Sequence, residues 1–169
     1  MRDMRSRDLV YGALLTALSL LIPLAFASYL KVYLPPFSAT LASHVPVMLA
    51  MLISPAVAIM VGLGSAVGFL IMLGPVIAAR ALVHVPVGII GAYLVARNRK
   101  FATALLVTAP VHALGEVLAV LPFGFTSYEA WVLVGVGTLL HHGADALISL
   151  AVAGSLKIAG VLNTGPRQA

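Results

Sequence analysis

The chain reads as an all-α integral membrane protein of six transmembrane helices, with both termini on one side of the bilayer. Three observations predict this class. Hydrophobic residues make up 62% of the 169 positions and charged residues only 9%, with a mean hydropathy of +1.10; soluble globular domains do not have such a composition. The apolar residues fall into runs near the ~20 positions that a spanning helix needs. Lysine and arginine gather at the ends of those runs. No separate hydrophilic domain interrupts them, so residues 1–169 are read as one transmembrane domain.

The elements follow in order. A basic, polar start precedes a first span at about Asp8 to Ala27. A signal peptide would offer a shorter apolar core and a small-residue cleavage site. This run is full length, with Pro23 near its end, and is read as retained. The loop Ser28 to Ala39 leads to a second, short span at about Thr40 to Ile53. Ser54-Pro55 makes a turn, since proline suits a first helical turn. A third span covers about Ala56 to Leu73. Gly74-Pro75 makes another turn, and the fourth span runs to about Ala96. The basic loop Arg97-Asn98-Arg99-Lys100 precedes a fifth, ending near Leu121. The loop Pro122 to Glu129 leads to a sixth, ending near Lys157.

Cytoplasmic loops are enriched in lysine and arginine. With six spans both termini share a side. Arg2, Arg5, Arg7, Arg97, Arg99, Lys100, Lys157 and Arg167, eight of the ten basic residues, fall on it. Only Lys31 falls opposite, and Arg80 lies within a span. Both termini are therefore expected in the cytoplasm, with the loops Ser28 to Ala39 and Pro122 to Glu129 outside. The net charge of +5 does not point to nucleic acid, because it follows membrane topology rather than a solvated face.

The polar residues inside the spans are the candidates for function. Three spans each carry a pair spaced by four: Arg80 with His84, His112 with Glu116, and His141 with Asp145. This spacing places both members on one helix face. Ionisable groups are costly in a bilayer and tend to face an interior where they bind or carry something. His44 joins them from the second span. At ~1.5 Å rise per residue most of these groups lie in the outer half of the membrane, with Arg80 and Glu116 each roughly 8 Å down. That suits a pocket loaded from outside. Prolines cluster with the histidines: His44-Val45-Pro46-Val47 recurs as His84-Val85-Pro86-Val87, and Pro110 stands two residues before His112. An interior proline frees a carbonyl and kinks a span.

Several chemistries find no support. There are no cysteines, so disulfides and thiolate ligands are excluded. No Walker A sequence is present, and no serine sits in a nucleophile-like context. No two histidines have H-x-x-x-H spacing on one helix, and the adjacent His141 and His142 point about 100° apart. No metal and no cofactor are therefore expected, and a small intramembrane metalloenzyme stands only as an alternative from a different class. Gly62, Gly64 and Gly68 lie mid-span with no preceding strand, which suits close helix packing better than a nucleotide. Met48, Met51, Met60 and Met72 read as apolar filler.

Other residues keep two readings. Arg80 and Glu116, at similar depth, suit a structural ion pair; a buried arginine equally suits a ligand carboxylate. His44 suits a packed, carbonyl-bonded histidine or a ligand contact. Tyr29, Tyr33, Phe37, Phe123, Phe125, Tyr128 and Trp131 suit an interfacial aromatic belt or, above the pocket, rings that stack on a flat ligand. The pocket reading gives a substrate-binding set of Arg80, His84, His44, His112, Glu116, His142, Asp145, Tyr33, Phe37 and Trp131, and a small aromatic acid as the ligand.

Six spans in 169 residues, with a long first outer loop, resemble the S components of energy-coupling factor (ECF) vitamin transporters. The stretch from Pro36 through Pro46 (PFSATLASHVP), then Ser54-Pro55, then Arg80-Ala81-Leu82-Val83-His84, resembles the niacin-specific family of these subunits. The resemblance implies a non-enzymatic, multi-pass subunit of the cell membrane that captures a vitamin outside. It implies delivery by docking on a membrane T component driven by two cytoplasmic ATPases, through an AxxxA motif in the first span. Ala13-Leu14-Leu15-Thr16-Ala17 matches that motif, with Gly12 and Thr16 extending the smooth face. Tryptophan or another vitamin is the alternative substrate within the class.

Overall fold

A computed structural model describes residues 6–160. Arg2, Arg5 and Arg167, used above for topology, lie outside the described residues. Among the described residues five helical stretches are long and apolar enough to cross a membrane: Ser6–Leu30, Pro55–Leu73, Pro75–Ala96, Phe101–Phe123 and Glu129–Ile158. The protein is a multi-pass, all-α membrane protein with one small hairpin added.

Helix α1 (Ser6–Leu30) runs beyond the expected Ala27. The following segment is not the expected loop. Strands β1 (Lys31–Leu34) and β2 (Phe37–Thr40) form an antiparallel hairpin, with Leu34 opposite Phe37 and Lys31 opposite Thr40. Proline cannot donate to a strand ladder, and Pro35-Pro36 occupies the two-residue turn, where no donor is needed. The pattern of burial is one-sided. All of β1 is exposed, while Phe37 and Thr40 of β2 are buried.

The expected second span is also corrected. Thr40 to Ile53 is not a continuous helix: only α2 (Val45–Ala50) is helical, six residues long, between turns. At ~1.5 Å per residue such a helix spans ~9 Å, too little to cross. The segment nonetheless brings the chain back. Gly12, Thr16 and Leu20 of α1 lie against Met60, Gly64 and Gly68 of α3 (Pro55–Leu73), in ascending order on both helices. The two helices are therefore parallel, so residues 31–54 must return the chain to the end where α1 began.

The turns follow local chemistry. Ser54 Oγ accepts the Val57 N–H at 3.2 Å and Pro55 starts α3. Gly74, at φ 88°, links α3 to α4 (Pro75–Leu82) in a conformation that favours glycine. The expected fourth span breaks at Val83, and α5 (His84–Ala96) restarts with Pro86 in its first turn. Helix α6 (Phe101–Val120) carries Pro110 in its interior. Thr126 and Glu129 form a capping box, each bonding the other's backbone N–H. Residues Glu129–Val136 are π-helical, a widened turn often found near functional sites. Helix α7 (Gly137–Ile158) completes the chain.

Glycines set the helix spacing, as expected for Gly62, Gly64 and Gly68. A Cβ on Gly62 would reach the Val85 backbone of α5, and one on Gly64 or Gly68 would strike α1. Close approach of this kind gives van der Waals contact where lipid offers no hydrophobic drive. Met48 and Met51 fill the core beside Val87 and Leu105. Met72, by contrast, is exposed.

Candidate functional site

Between the C-terminal parts of α1 and α3, strand β2 and helix α4 lies a cavity of about 300 Å³. Of the ten expected substrate-binding residues, Arg80, His84, His44 and Glu116 line it. His141 lines it too, and His142 does not. Adjacent residues on α7 do diverge, but the cavity-facing member is the one not chosen. His142 is buried, with Nε2 2.9 Å from the Leu105 carbonyl and Nδ1 3.1 Å from His112 Nδ1.

The three aromatic residues of the expected set do not line the cavity. Tyr33 sits on the exposed strand at 63% exposure, and Trp131 is 54% exposed on the outer surface beside Pro110 and Leu114. Neither lines the cavity. Phe37 is 3% exposed and packs with Val117, Val120, Ala130 and Val134. Gly137 makes room for its ring: a Cβ there would come within 2.9 Å of Phe37 Cζ. The Arg80 guanidinium lies 5.1 Å from the ring centre, a cation–π distance. Phe37 thus supports Arg80 from behind. A lone ring in a loop gives no signal of which way it turns; only its place in β2 decides that.

Arg80 engages Glu116 as a buried pair. Its Nε and Nη2 donate to Glu116 Oε2 at 2.9 and 2.8 Å, and Nη1 donates to the Ser38 carbonyl at 3.1 Å. The ion-pair reading is therefore realised. A guanidinium has five N–H groups, so two remain after these three bonds. Thr138 Oγ1 donates to the same Oε2 at 2.6 Å. Glu116 Oε1 takes none of these bonds and lies 3.4 Å from His112 Nε2.

Asp145 is fully buried and holds backbone rather than facing the cavity. Its two oxygens accept the Ala42 N–H at 2.6 Å and the His44 N–H at 2.9 Å. His44 Nδ1 and His141 Nε2 approach Oδ2 to 3.3 and 3.2 Å. Ala42 has φ 70°, a conformation costly for a residue with a Cβ. The α7 carboxylate ties down this strained turn and so positions His44.

The histidines converge from separate segments. The His44 ring centroid lies 4.8 Å from that of His84, 4.6 Å from that of His112 and 4.2 Å from that of His141. One ligand atom from each of His44, His84, His112 and Glu116 falls within 4.8 Å of the others. Spacing along one helix could not reveal this set, because its members come from the turn before α2, from α5 and from α6. The cavity also contains Lys31, Ser19, Ser43, Ser65 and Phe69, which sequence reasoning did not select. Lys31 had one available signal, as the single basic residue expected on the outer side.

Ala13 and Ala17 are exposed on α1. Gly12 and Thr16 do not extend that face. They turn into the bundle against Met60 and Gly64, a quarter-turn or so away.

The molecule is a helical membrane bundle with a small cavity into which charged and imidazole side chains project. The niacin transporter NiaX of Lactococcus lactis subsp. cremoris (strain MG1363) is 36% identical over 163 residues, covering 86% of this chain and 72% of that transporter. No family model and no solved structure matches. The chain belongs to the niacin-transporter family, the niacin-specific S components of ECF transporters.

Proposed function

We propose that the protein binds nicotinate in the cavity beside Arg80 and serves as the substrate-binding subunit of an ATP-driven uptake system in the cell membrane. The single observation that carries this reading is the cavity itself, in a chain of this family. It holds about 300 Å³, the small end of ligand pockets at ~300–1,000 Å³, which suits one substituted ring. Arg80 contributes two unengaged N–H groups and Lys31 an ammonium, a pair suited to one carboxylate. His44, His84 and His141 supply ring nitrogens for a heterocycle. Glu116, bound to Arg80, orients the guanidinium. The protein performs no reaction on its ligand in this reading. Delivery then proceeds by docking on a T component with two cytoplasmic ATPases, through Ala13 and Ala17.

Calorimetric titration of purified protein tests the substrate. Nicotinate should bind at one site. Nicotinamide, which lacks the charge, should bind at least about tenfold more weakly, since hydrogen bonds to charged groups contribute ~1.5–3 kcal/mol. Arg80→Lys should also bind poorly, because a point charge cannot keep both Glu116 and the ligand in a planar fork. Equal affinity for acid and amide would remove the carboxylate role.

A further inference from the structure

Three buried imidazole nitrogens make no well-formed hydrogen bond among the described residues: His84 Nε2, His112 Nε2, which lies 3.4 Å from Glu116 Oε1, and His44 Nδ1, which lies 3.3 Å from Asp145 Oδ2. Buried polar atoms are nearly always paired, so three orphans in one cluster call for an explanation. The orientation of His112 gives one. A carbonyl only accepts, so His142 Nε2 carries the proton that bonds Leu105 O. With neutral rings, His142 Nδ1 is then an acceptor and His112 Nδ1 the donor across 3.1 Å. That leaves a bare lone pair on His112 Nε2, aimed at Glu116 Oε1 only 3.4 Å away. Two lone pairs facing each other repel unless a proton on His112 or a metal ion lies between them.

We propose that His44, His84, His112 and Glu116 form a site for a divalent transition-metal ion, and that its open coordination position faces the cavity. Three imidazoles and one carboxylate suit zinc, cobalt, nickel or ferrous iron, and not the oxygen-seeking calcium or magnesium. The geometry is near what such an ion needs. Ligands bonded at ~2.1 Å around a tetrahedral ion lie ~3.4 Å apart. His112 Nε2 and Glu116 Oε1 already have that separation. The four donors lie within 4.8 Å of one another, so the remaining rings close by about an ångström. The outer contacts are also those of a metal site, where ligands are held by their second atoms. Arg80 and Thr138 hold Glu116 through Oε2, leaving Oε1 free, and His142 holds His112 through Nδ1. Three of the four residues, His44, His84 and Glu116, line the cavity, so a bound ion would be within reach of a ligand there.

Charge balance couples the ion to an anion. Arg80, Glu116 and Asp145 are the buried arginine and carboxylates among the described residues. With neutral imidazoles these buried groups sum to one negative charge; Lys31, which also lines the cavity, is exposed to solvent and stands outside this sum. A divalent ion makes the region singly positive, and a monoanionic ligand then brings it to neutrality, which a low-dielectric interior favours. This coupling rests on the nicotinate reading; the metal site does not.

Cobalt(II) is the probe. Protein in detergent, with any affinity tag cleaved and after chelator washing, is titrated with cobalt chloride in the absence of nicotinate. The expected result is one equivalent bound, with the intense visible d–d bands of a four- or five-coordinate nitrogen-ligated ion. His84→Ala and His112→Gln should lose the bands, while Glu129→Gln should keep them. Thr138→Val should weaken binding about 10–100-fold, the usual effect of removing an outer contact. Absence of saturable one-to-one binding by the unmutated protein, whose fold is intact, overturns the site, as does an unchanged spectrum in both histidine variants. Nicotinate is then added to washed and to cobalt-loaded protein. Binding at least about tenfold tighter to the loaded form, with a shifted cobalt spectrum, supports the coupling. Equal binding to both forms overturns the coupling. Failure of nicotinate to bind either form counts against the substrate reading alone, because the cobalt titration judges the metal site without it.

Discussion

Helices α6 and α7 carry the same device, a histidine followed four residues later by an acid, and put it to different uses. On α7, both oxygens of Asp145 close on backbone N–H groups of the turn before α2. On α6, Glu116 crowds Arg80 and Thr138 onto one oxygen and leaves the other toward His112 and the cavity. One carboxylate is spent on architecture; the other keeps an open valence. The contrast teaches that burial and spacing identify a polar interior without telling which members of it meet a ligand. That depends on how many acceptor sites the fold has already filled.

The largest expected effect breaks the α6 arrangement. Glu116→Ala leaves the buried Arg80 without its partner, and removing one member of a buried pair costs about 3–5 kcal/mol. Arg80→Ala/Glu116→Ala together should recover most of that loss, since no uncompensated charge remains. Neither variant should bind nicotinate. Thermal unfolding in detergent, run as a double-mutant cycle, measures this. A double variant as unstable as Glu116→Ala would mean that the two residues do not act as a pair.

The hairpin offers a comparison of similar size within ten residues. Phe37→Ala empties a packed site beneath Arg80 and should cost about 3–5 kcal/mol. Tyr33→Ala, on the exposed strand, should shift stability by no more than about 0.5 kcal/mol. Both rings stand in the same short sequence, KVYLPPFS, and the same unfolding experiment separates them. Equal losses would mean that the hairpin does not present one face to the bundle.

These residues also mark where the sequence was legible and where it was not. Five long helices and their turns could be read, because apolar run length and the Ser-Pro and Gly-Pro dipeptides act locally. Close helix packing at Gly62, Gly64 and Gly68 was legible too, though not that α1 and α5 are the helices they meet. The hairpin was missed. In a membrane chain, four-residue strands beside two prolines resemble a loop, and their pairing is fixed by register rather than composition. The break in the second segment was missed because its apolar content matches that of a helix; the Asp145 clamp that holds it comes from about a hundred positions away. His141 and His142 differ only by rotation, which sequence leaves open. His44, His84 and His112 were read as members of one pocket, but their approach as a candidate ligand set was not legible, because metal-ligand spacing rules describe one helix and these three residues belong to three segments.

The α7 clamp gives a smaller effect. Asp145→Asn keeps the shape and one acceptor oxygen but removes the charge and one acceptor. Hydrogen bonds to a charged group contribute ~1.5–3 kcal/mol, so a loss of about 2–3 kcal/mol is expected. Because the turn positions His44, nicotinate affinity should fall as well, although Asp145 does not line the cavity. Calorimetry alongside thermal unfolding checks both. Full affinity in a destabilised protein would show that His44 holds its place without the clamp.

The smallest effect on stability is expected on α1, where it separates two faces of one helix. Gly12 and Thr16 face α3, and a side chain added at Gly12 would collide with Met60. Ala13 and Ala17 are exposed, so a larger side chain there has no packed neighbour to displace among the described residues. Ala13→Trp and Ala17→Trp should each leave stability within about 0.5 kcal/mol and leave nicotinate binding in detergent unchanged. Uptake of labelled nicotinate by cells should nonetheless be lost. Small residues let a partner helix approach closely, and an indole would hold the T component off. Gly12→Trp should instead damage the fold itself. Loss of binding in the Ala17→Trp protein would place that face inside the bundle. Normal uptake with intact binding would move the docking surface to another side of the molecule.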